Sequence, residues 1–452
     1  MTNATRVTNA TRVTWDLFAQ HAGRGLSFFL DRADGRRPSF AGSGPVRRLV
    51  VTGDGQALIE TGGRWEPTGG DPIDAIAQFV GESEAKAGGL PEGMAETTAV
   101  PRTVGYLSYE LGAAIEGVVP AGPEPTGAPL ALLSTYDRVD GWDPVSGQRF
   151  SLDFSGGKKL PPCSAKLPLL PHSGSDNERR TYDAGFARLK GAIEAGEIYQ
   201  ANLSRHMSFA LEEEPASLYA RLRDNQPVPQ GAYLDCGRLQ ILSNSPECFL
   251  LVEDATIRSF PIKGTRARAT DPADDLEQVR RLTTDPKELA EHIMIVDLER
   301  NDLGRVCETG SVEVAESTAL RSFRTVHHLV SEVRGKLRAE TGLAEVLRAT
   351  FPGGSITGAP KISSMKLISE VEPSARGVYT GAMGCFNGPS AYELNIAIRT
   401  AVAVDGRIHY FAGGGIVADS ELEAEYEETV TKSRAFLDAL LQANAPDKAV
   451  AN

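Results

Sequence analysis

Four glutamates at helical spacing are the residues best placed to do chemistry. Glu288 and Glu291 stand three apart in DPKELAEHIMIVDLERND, so on a helix they share one face. Glu425 and Glu428 repeat that spacing in EAEYEETVTK, with Lys432 one turn further along the same side. Four carboxylates brought together would repel one another unless a cation neutralised them. A hard, all-oxygen set of this kind suits Mg²⁺, which keeps positions for water or substrate. The same residues read equally as two solvated acidic helix faces, which are common in a chain of net charge −13.

A strand pair supplies the second constellation. SPECFLLV (245–252) and IRSFPIKG (257–264) flank a short polar segment, so they read as a hairpin. A hairpin centred on Ala255 would set Glu247 directly across from Lys263 on the same face, with Cβ atoms roughly 5 Å apart. The two would then be an acid beside an amine nucleophile, or a plain cross-strand ion pair. A slip of one residue would separate them.

Three glycine-rich loops follow: KGTR (263–266), FPGGSITGAPK (351–361) and AGGGIVADS (412–420). Glycines allow backbone N–H groups to approach an anion, and the helix expected after Pro360 would add its N-terminal dipole. They could equally be ordinary turns, and none has Walker A spacing. Arg399 alternates away from Leu394, Ile396 and Ile398, so on a continuous strand it would point to the opposite face, into a site or into solvent. His327 and His328 are adjacent, so at most one of them can face a given site.

The elements that must carry these residues are legible from periodicity. Tyr182, Phe186, Leu189 and Ile193 mark a helix over about 178–195, followed by a strand at about 199–209. Asp405-Gly406 is a hairpin turn into a strand from Arg407 to Phe411. A last helix over about 420–442 carries Leu422, Tyr426, Val430, Leu437 and Leu440 on its apolar side. Upstream, Arg48–Thr52 and Leu130–Thr135 look like strands. Long strands interleaved with a few long helices predict an α+β sandwich, and no GxGxxG follows a strand. The duplicated TNATRV at 2–7 and 8–13 reads as a disordered tail over 1–14, and the Gly-, Pro- and Ser-rich stretch 155–177 as an exposed connection.

Composition bounds the function. The chain has 452 residues, of which 41% are hydrophobic, ample for a large core. Its acidic balance argues against a nucleic-acid surface, and no apolar run is long enough to span a membrane. Five scattered cysteines without metal spacing, and no secretory signal at the N-terminus, point to reduced thiols in the cytoplasm.

Taken in order, IYQANLSR, PIKGTRAR, HIMIVDLERNDLGRVCETGSVEV, VHHLVSEV, FPGGSITGAPK and AGGGIVADS resemble the chorismate-utilising enzymes, which include aminodeoxychorismate, anthranilate and isochorismate synthases. The resemblance runs over about 180–442 and implies a chorismate-binding catalytic domain at 178–442, an N-terminal region of the same fold at 15–170 and a tail at 443–452. It implies two long antiparallel sheets packed face to face with helices outside. Mg²⁺ would be held by Glu291 and Glu428, with Glu288 and Glu425 completing the shell, and would grip the ring carboxylate of chorismate. Tyr379 and Arg399, with the amides of Gly413 and Gly415, would bind the enolpyruvyl carboxylate. Gly264, Thr265 and Ser355 match substrate-contacting positions, His328 the histidine near the ring, and Lys432 a basic residue at the substrate.

Lys263 stands where anthranilate and isochorismate synthases usually carry Ala, and PIKGT resembles the aminodeoxychorismate branch. There the lysine attacks ring C2 as the C4 hydroxyl leaves, an acid matching Glu247 protonates that hydroxyl, and ammonia enters at C4. The amine must be neutral when it attacks. Gln200 stands where isochorismate synthases place a water-activating lysine, so ammonia is the expected nucleophile. No cysteine sits in a GxCxG setting, so a separate glutamine amidotransferase subunit is expected to supply it. The family's GTRPRG reads Gly264-Thr265-Arg266-Ala267-Arg268-Ala269, and Cys385 replaces a common aromatic.

Overall fold

The computed structural model describes residues 13–33, 35, 37–84, 99–120, 122–156, 160–169, 179–323 and 326–443. Among them run a ten-stranded and a twelve-stranded sheet in which every pairing is antiparallel. The expected α+β fold with two long sheets is the one observed. Both halves of the chain contribute to each sheet. In the ten-stranded sheet the early strands Ser27–Asp31 and Ser39–Ser43 lie on one side of Gln230–Asp235, and Leu239–Ser245, Thr400–Val404, Arg407–Ile416 and Gln200–Ala210 on the other.

The sheets are held together by side chains that alternate inward. Phe28, Leu30, Val50, Tyr106, Leu132, Leu234, Ile241, Met383 and Val402 form one buried cluster between them. Each large side chain so buried contributes roughly 1.5–3 kcal/mol relative to exposure. On the outer face of the twelve-stranded sheet, helices Pro72–Glu82, Pro286–Gly304 and Leu343–Thr350 add Phe79, Val296 and Leu347 to a second cluster. Helices Pro215–Asn225 and Leu422–Ala443 cover the ten-stranded sheet through Leu218, Leu222, Phe436 and Leu440.

The helix expected at 178–195 is Arg179–Glu194, and the strand after it is Gln200–Ala210. Val404 pairs with Arg407 across the Asp405-Gly406 turn, and the second strand continues to Ile416. Of the apolar side expected for the last helix, Leu440 is buried and Leu422, Tyr426 and Leu437 are partly buried against the core, and the helix also buries Glu425, Thr429, Ser433 and Phe436. The buried polar residues are hydrogen-bonded: Glu425 accepts from Ser420, Thr429 accepts from Arg205 and Ser433 donates to the Val430 carbonyl.

Three expectations need correction. Residues 1–12 of the expected tail fall outside the described residues, as do 444–452, but Val13 and Thr14 already lie in a helix and Thr14 accepts a hydrogen bond from buried Arg223. The segment 160–169 is no exposed connection throughout: the amides of Ser164 and Ala165 both donate to Glu60, and Leu167 is buried. The strand expected through Ile398 ends at Ile396, where the chain leaves the twelve-stranded sheet and re-enters the other as Thr400–Val404.

Among the described residues no helix is long and apolar enough to cross a membrane. All five cysteines are free.

Candidate active site

Where the ends of the two sheets approach each other, the glycine loops, both glutamate pairs and Lys263 converge. The hairpin is one residue shorter than expected. Glu253 pairs with Thr256 and Leu251 with Arg258, across a two-residue turn in which Asp254 and Ala255 have φ of 48° and 63°. Pairing with Cys248–Glu253 then lapses near Phe260-Pro261, and Ile262–Ala267 continues along Val326–Lys336 instead. Glu247 and Lys263 are therefore not cross-strand partners. They still meet electrostatically, because the Ile262 amide donates to the Glu247 carboxyl and Lys263 stabilises its anion.

Gly264 makes the second local departure. It sits at φ 75° in a bulge, so that three residues, Lys263 to Thr265, oppose Leu329 and His328. Any side chain there would be strained, and its Cβ would lie 2.8 Å from Leu282 Cδ1 and 3.3 Å from Glu288 Oε2. The bulge re-aims Lys263 and Thr265, and Thr265 Oγ1 lies 2.8 Å from His328 Nδ1. His327 faces the other way, bonded to Asp275 and Ser322, so only His328 joins the site. Burial lowers the His328 pKa to about 3, Arg399 adding to the shift and the Gly264 carbonyl opposing it. His328 is a neutral imidazole whose buried Nε2 has no protein partner.

Gly413, Gly414 and Gly415 floor the site from the other sheet. A Cβ at Gly415 would stand 2.7 Å from Gln200 Nε2 and 3.5 Å from Lys263 Nζ, and one at Gly414 would stand 3.5 Å from both Glu425 Oε2 and Glu428 Oε1. At Gly413 it would meet Ser204 Oγ at 2.5 Å, the Leu203 carbonyl at 2.8 Å and Tyr379 OH at 3.0 Å. Tyr379 stacks on Phe411 with centroids 5.2 Å apart, and its hydroxyl accepts from Ser204 at 3.4 Å. Gly413→Ala should therefore displace Tyr379 and the strand, raising the KM for substrate and lowering stability by roughly 1–3 kcal/mol. Steady-state kinetics and thermal unfolding of that variant check both effects.

Glu247 is the buried acid of the site. Burial raises its pKa to about 7, against the hydrogen bond from Ser355 Oγ (3.0 Å), Lys263, the Ile262 amide and Lys432. Arg399 has left-handed backbone, φ 50°, at the crossing between the sheets, so strand alternation does not govern where it points. Its amide carbonyl accepts from Asn244, and burial lowers its pKa, opposed by Tyr410 and Glu247. Such a guanidinium gains from a bound anion. Lys432 donates to the Gly413 carbonyl at 2.9 Å and pairs with Glu428 at 2.6 Å.

The four glutamates lie on facing helices. Burial raises Glu288, reinforced by Glu291 and Glu428, and burial raises Glu425, reinforced by Glu428 and Glu291. Burial likewise works to raise Glu428, but Lys432 outweighs it and holds this carboxyl below its ordinary value. Arg266 stands 3.9 Å from Glu288, Lys287 3.9 Å from Glu291, and Ser420 donates to Glu425 at 2.6 Å. Among the described residues, no three carboxylate, His or Cys groups are drawn to one point at metal distance. The donor chemistry fits a divalent cation: carboxylates that oppose one another's ionisation across two helices are stabilised together when a cation lies between them.

The sequence reading passed over four residues that support the site: Ser204 behind Tyr379, Glu299 behind the Gly354 amide, and the buried pair Glu372–Arg376. For Arg376 the available signal was a charged residue inside an otherwise uncharged segment, SARGVY. Arg268 and the Ala269 amide both donate to Asp275, so the stretch that departs from the family at Ala267 and Ala269 is anchored without the usual Pro and Gly. Cys385 is fully buried between the sheets.

A two-sheet α+β fold that gathers an acid, an amine, an arginine and facing carboxylates is a candidate enzyme site. The chain belongs to the chorismate-binding enzymes, whose family model matches residues 27–438. It is 37% identical over 411 residues to anthranilate synthase component 1 of Streptomyces coelicolor, covering 84% of this chain and 79% of that one. It is 32% identical over 433 residues to aminodeoxychorismate synthase component 1 of Bacillus subtilis, covering 91% of each. Among solved structures, anthranilate synthase component I from Streptococcus pneumoniae superposes with a TM-score of 0.76 at 27% identity, covering 89% of this chain and 92% of that one. The protein is thus a chorismate-utilising enzyme.

Proposed function

We propose that this chain is the chorismate-aminating subunit that makes 4-amino-4-deoxychorismate, acting in the cytoplasm with ammonia from a glutamine amidotransferase partner. The observation that carries this reading is Lys263 beside Gly415, close enough to the buried acid Glu247 to stabilise its anion. An amine and a proton donor in one pocket suit displacement of a ring hydroxyl. Lys263 adds to ring C2, the double bond shifts, and the C4–O bond breaks as Glu247 delivers a proton to the departing oxygen. Ammonia then forms the C4–N bond and the electrons return to expel Lys263, so atoms and charge balance. Gln200 cannot take a proton from water, which leaves ammonia as the nucleophile that needs no base.

Arg399, Tyr379 and the amides of Gly413 and Gly415 are assigned to the enolpyruvyl carboxylate, and Gly264, Thr265 and Ser355 to the ring. His328 presents its unpartnered Nε2 toward the ring, and Lys432 its ammonium. Glu291 and Glu428, with Glu288 and Glu425, would hold Mg²⁺, which would supply positive charge for the ring carboxylate.

Anthranilate synthesis is the second reading, favoured by the identity with the Streptomyces coelicolor enzyme. Incubation of the chain with chorismate, Mg²⁺ and an ammonium salt decides between them by product. Aminodeoxychorismate is expected, with turnover lost when EDTA replaces Mg²⁺. Anthranilate and pyruvate as products would overturn the reading.

A further inference from the structure

Arg376 is among the largest fully buried side chains of the molecule. All five of its N–H donors are used. Two go to Glu372, through Nε at 2.8 Å and one terminal nitrogen at 2.7 Å. The other three reach the Asn202 carbonyl at 2.7 Å, the Ile356 carbonyl at 3.1 Å and Thr380 Oγ1 at 3.3 Å. Its own amide is held by Glu110 at 2.7 Å.

Each acceptor adjoins a residue of the site. Ile356 follows Ser355, which holds Glu247. Asn202 lies on the strand that begins with Gln200, and Thr380 follows Tyr379. Glu372 extends the set, accepting from the Ser204 amide at 2.8 Å. The guanidinium also lies over the Tyr379 ring, 5.9 Å from its centroid. A buried ion pair contributes little net stability, because desolvation offsets its attraction, so stability alone does not account for this arrangement. A rigid planar fork with five donors can satisfy all five acceptors at once, and an ammonium with three donors cannot.

We propose that Arg376 is a positioning residue that fixes the Ser355 loop, the Gln200 strand and Tyr379 in the arrangement in which Ser355 can hold Glu247. It contacts no substrate and acts through those three. The inference rests on the proposed use of chorismate, and is tested by following chorismate consumption whatever the product.

Arg376→Lys should lower kcat/KM for chorismate about tenfold or more in the folded fraction. It should also move the alkaline limb of the pH profile upward, because the Ser355 hydrogen bond that favours ionised Glu247 is loosened. Ser355→Ala should move the limb the same way with Arg376 intact, and the double variant should show less than the sum of the two effects. Glu372→Gln, which keeps one acceptor oxygen, gives a milder version should Arg376→Lys fold poorly. A lowered melting temperature with kcat, KM and pH limb unchanged would overturn the proposal, as would strict additivity with Ser355→Ala. A wild-type chain that consumes no chorismate would instead remove the reading beneath it.

Discussion

Replacing Lys263 with alanine is expected to reduce formation of the aminated product by a factor on the order of a thousand or more, while the fold survives. The loss is large because the proposed route passes through a covalent bond to this one amine, which stands at Gly415. Survival of the fold follows from its setting. Lys263 pairs through its backbone with Leu329, and the Gly264 bulge beside it depends on Gly264. Lys263→Arg, which keeps charge but is not a nucleophile, should be as inactive as the alanine variant. Product traced by chromatography, with circular dichroism as the fold control, checks both. Undiminished aminodeoxychorismate from Lys263→Ala would exclude the covalent route and leave Lys263 a charge in the pocket.

Glu247→Gln is expected to lower kcat roughly 10²- to 10⁴-fold, the usual contribution of a positioned general acid. The pH dependence makes the test sharper. With its pKa raised to about 7 by burial, wild-type Glu247 is protonated below neutrality and loses that proton above it. The profile of kcat/KM should accordingly fall on its alkaline side from about pH 7, by about tenfold per unit where the acid form is required. That limb should vanish from the residual activity of the glutamine variant.

Stability should respond with a definite sign. A folded pKa near 7, above the ordinary 4.5, means the folded protein holds this proton more tightly than the unfolded chain does. The stabilising contribution is full below 4.5 and is lost as pH rises through 7. Glutamine never ionises, so Glu247→Gln should match wild type in acid and exceed it above pH 7, by an amount on the order of 3 kcal/mol. A variant less stable than wild type at pH 8 would show that the carboxylate makes essential bonds there.

Much of this was legible in the linear chain. The helices and strands that carry the site follow from local periodicity and turn chemistry, as in Arg179–Glu194 and the Asp405-Gly406 hairpin. Residue types by themselves left the chemistry open, because paired glutamates on a helix face are also ordinary solvated surfaces and glycine-rich segments ordinary turns; the order of the motifs and the family they resemble gave them a chemical meaning. The two packed sheets were implied by the family that the ordered motifs resemble, and periodicity alone pointed only to an α+β sandwich.

What the sequence could not decide are the points where the chain breaks its own period. The hairpin closes one residue early, and the Gly264 bulge turns Lys263 and Thr265 out of simple alternation. The chain changes sheets at Arg399, so a count of alternating residues carried through Ile398 does not apply there. Register and crossing depend on which distant strand accepts each hydrogen bond, and that is settled by packing two sheets at once, not by neighbours in sequence. For the same reason the role of Arg376 was not legible: its place in SARGVY marks only a charge in an otherwise uncharged segment, and its meaning lies in joining Asn202, Ile356 and Thr380, which only the folded chain brings within reach of one guanidinium.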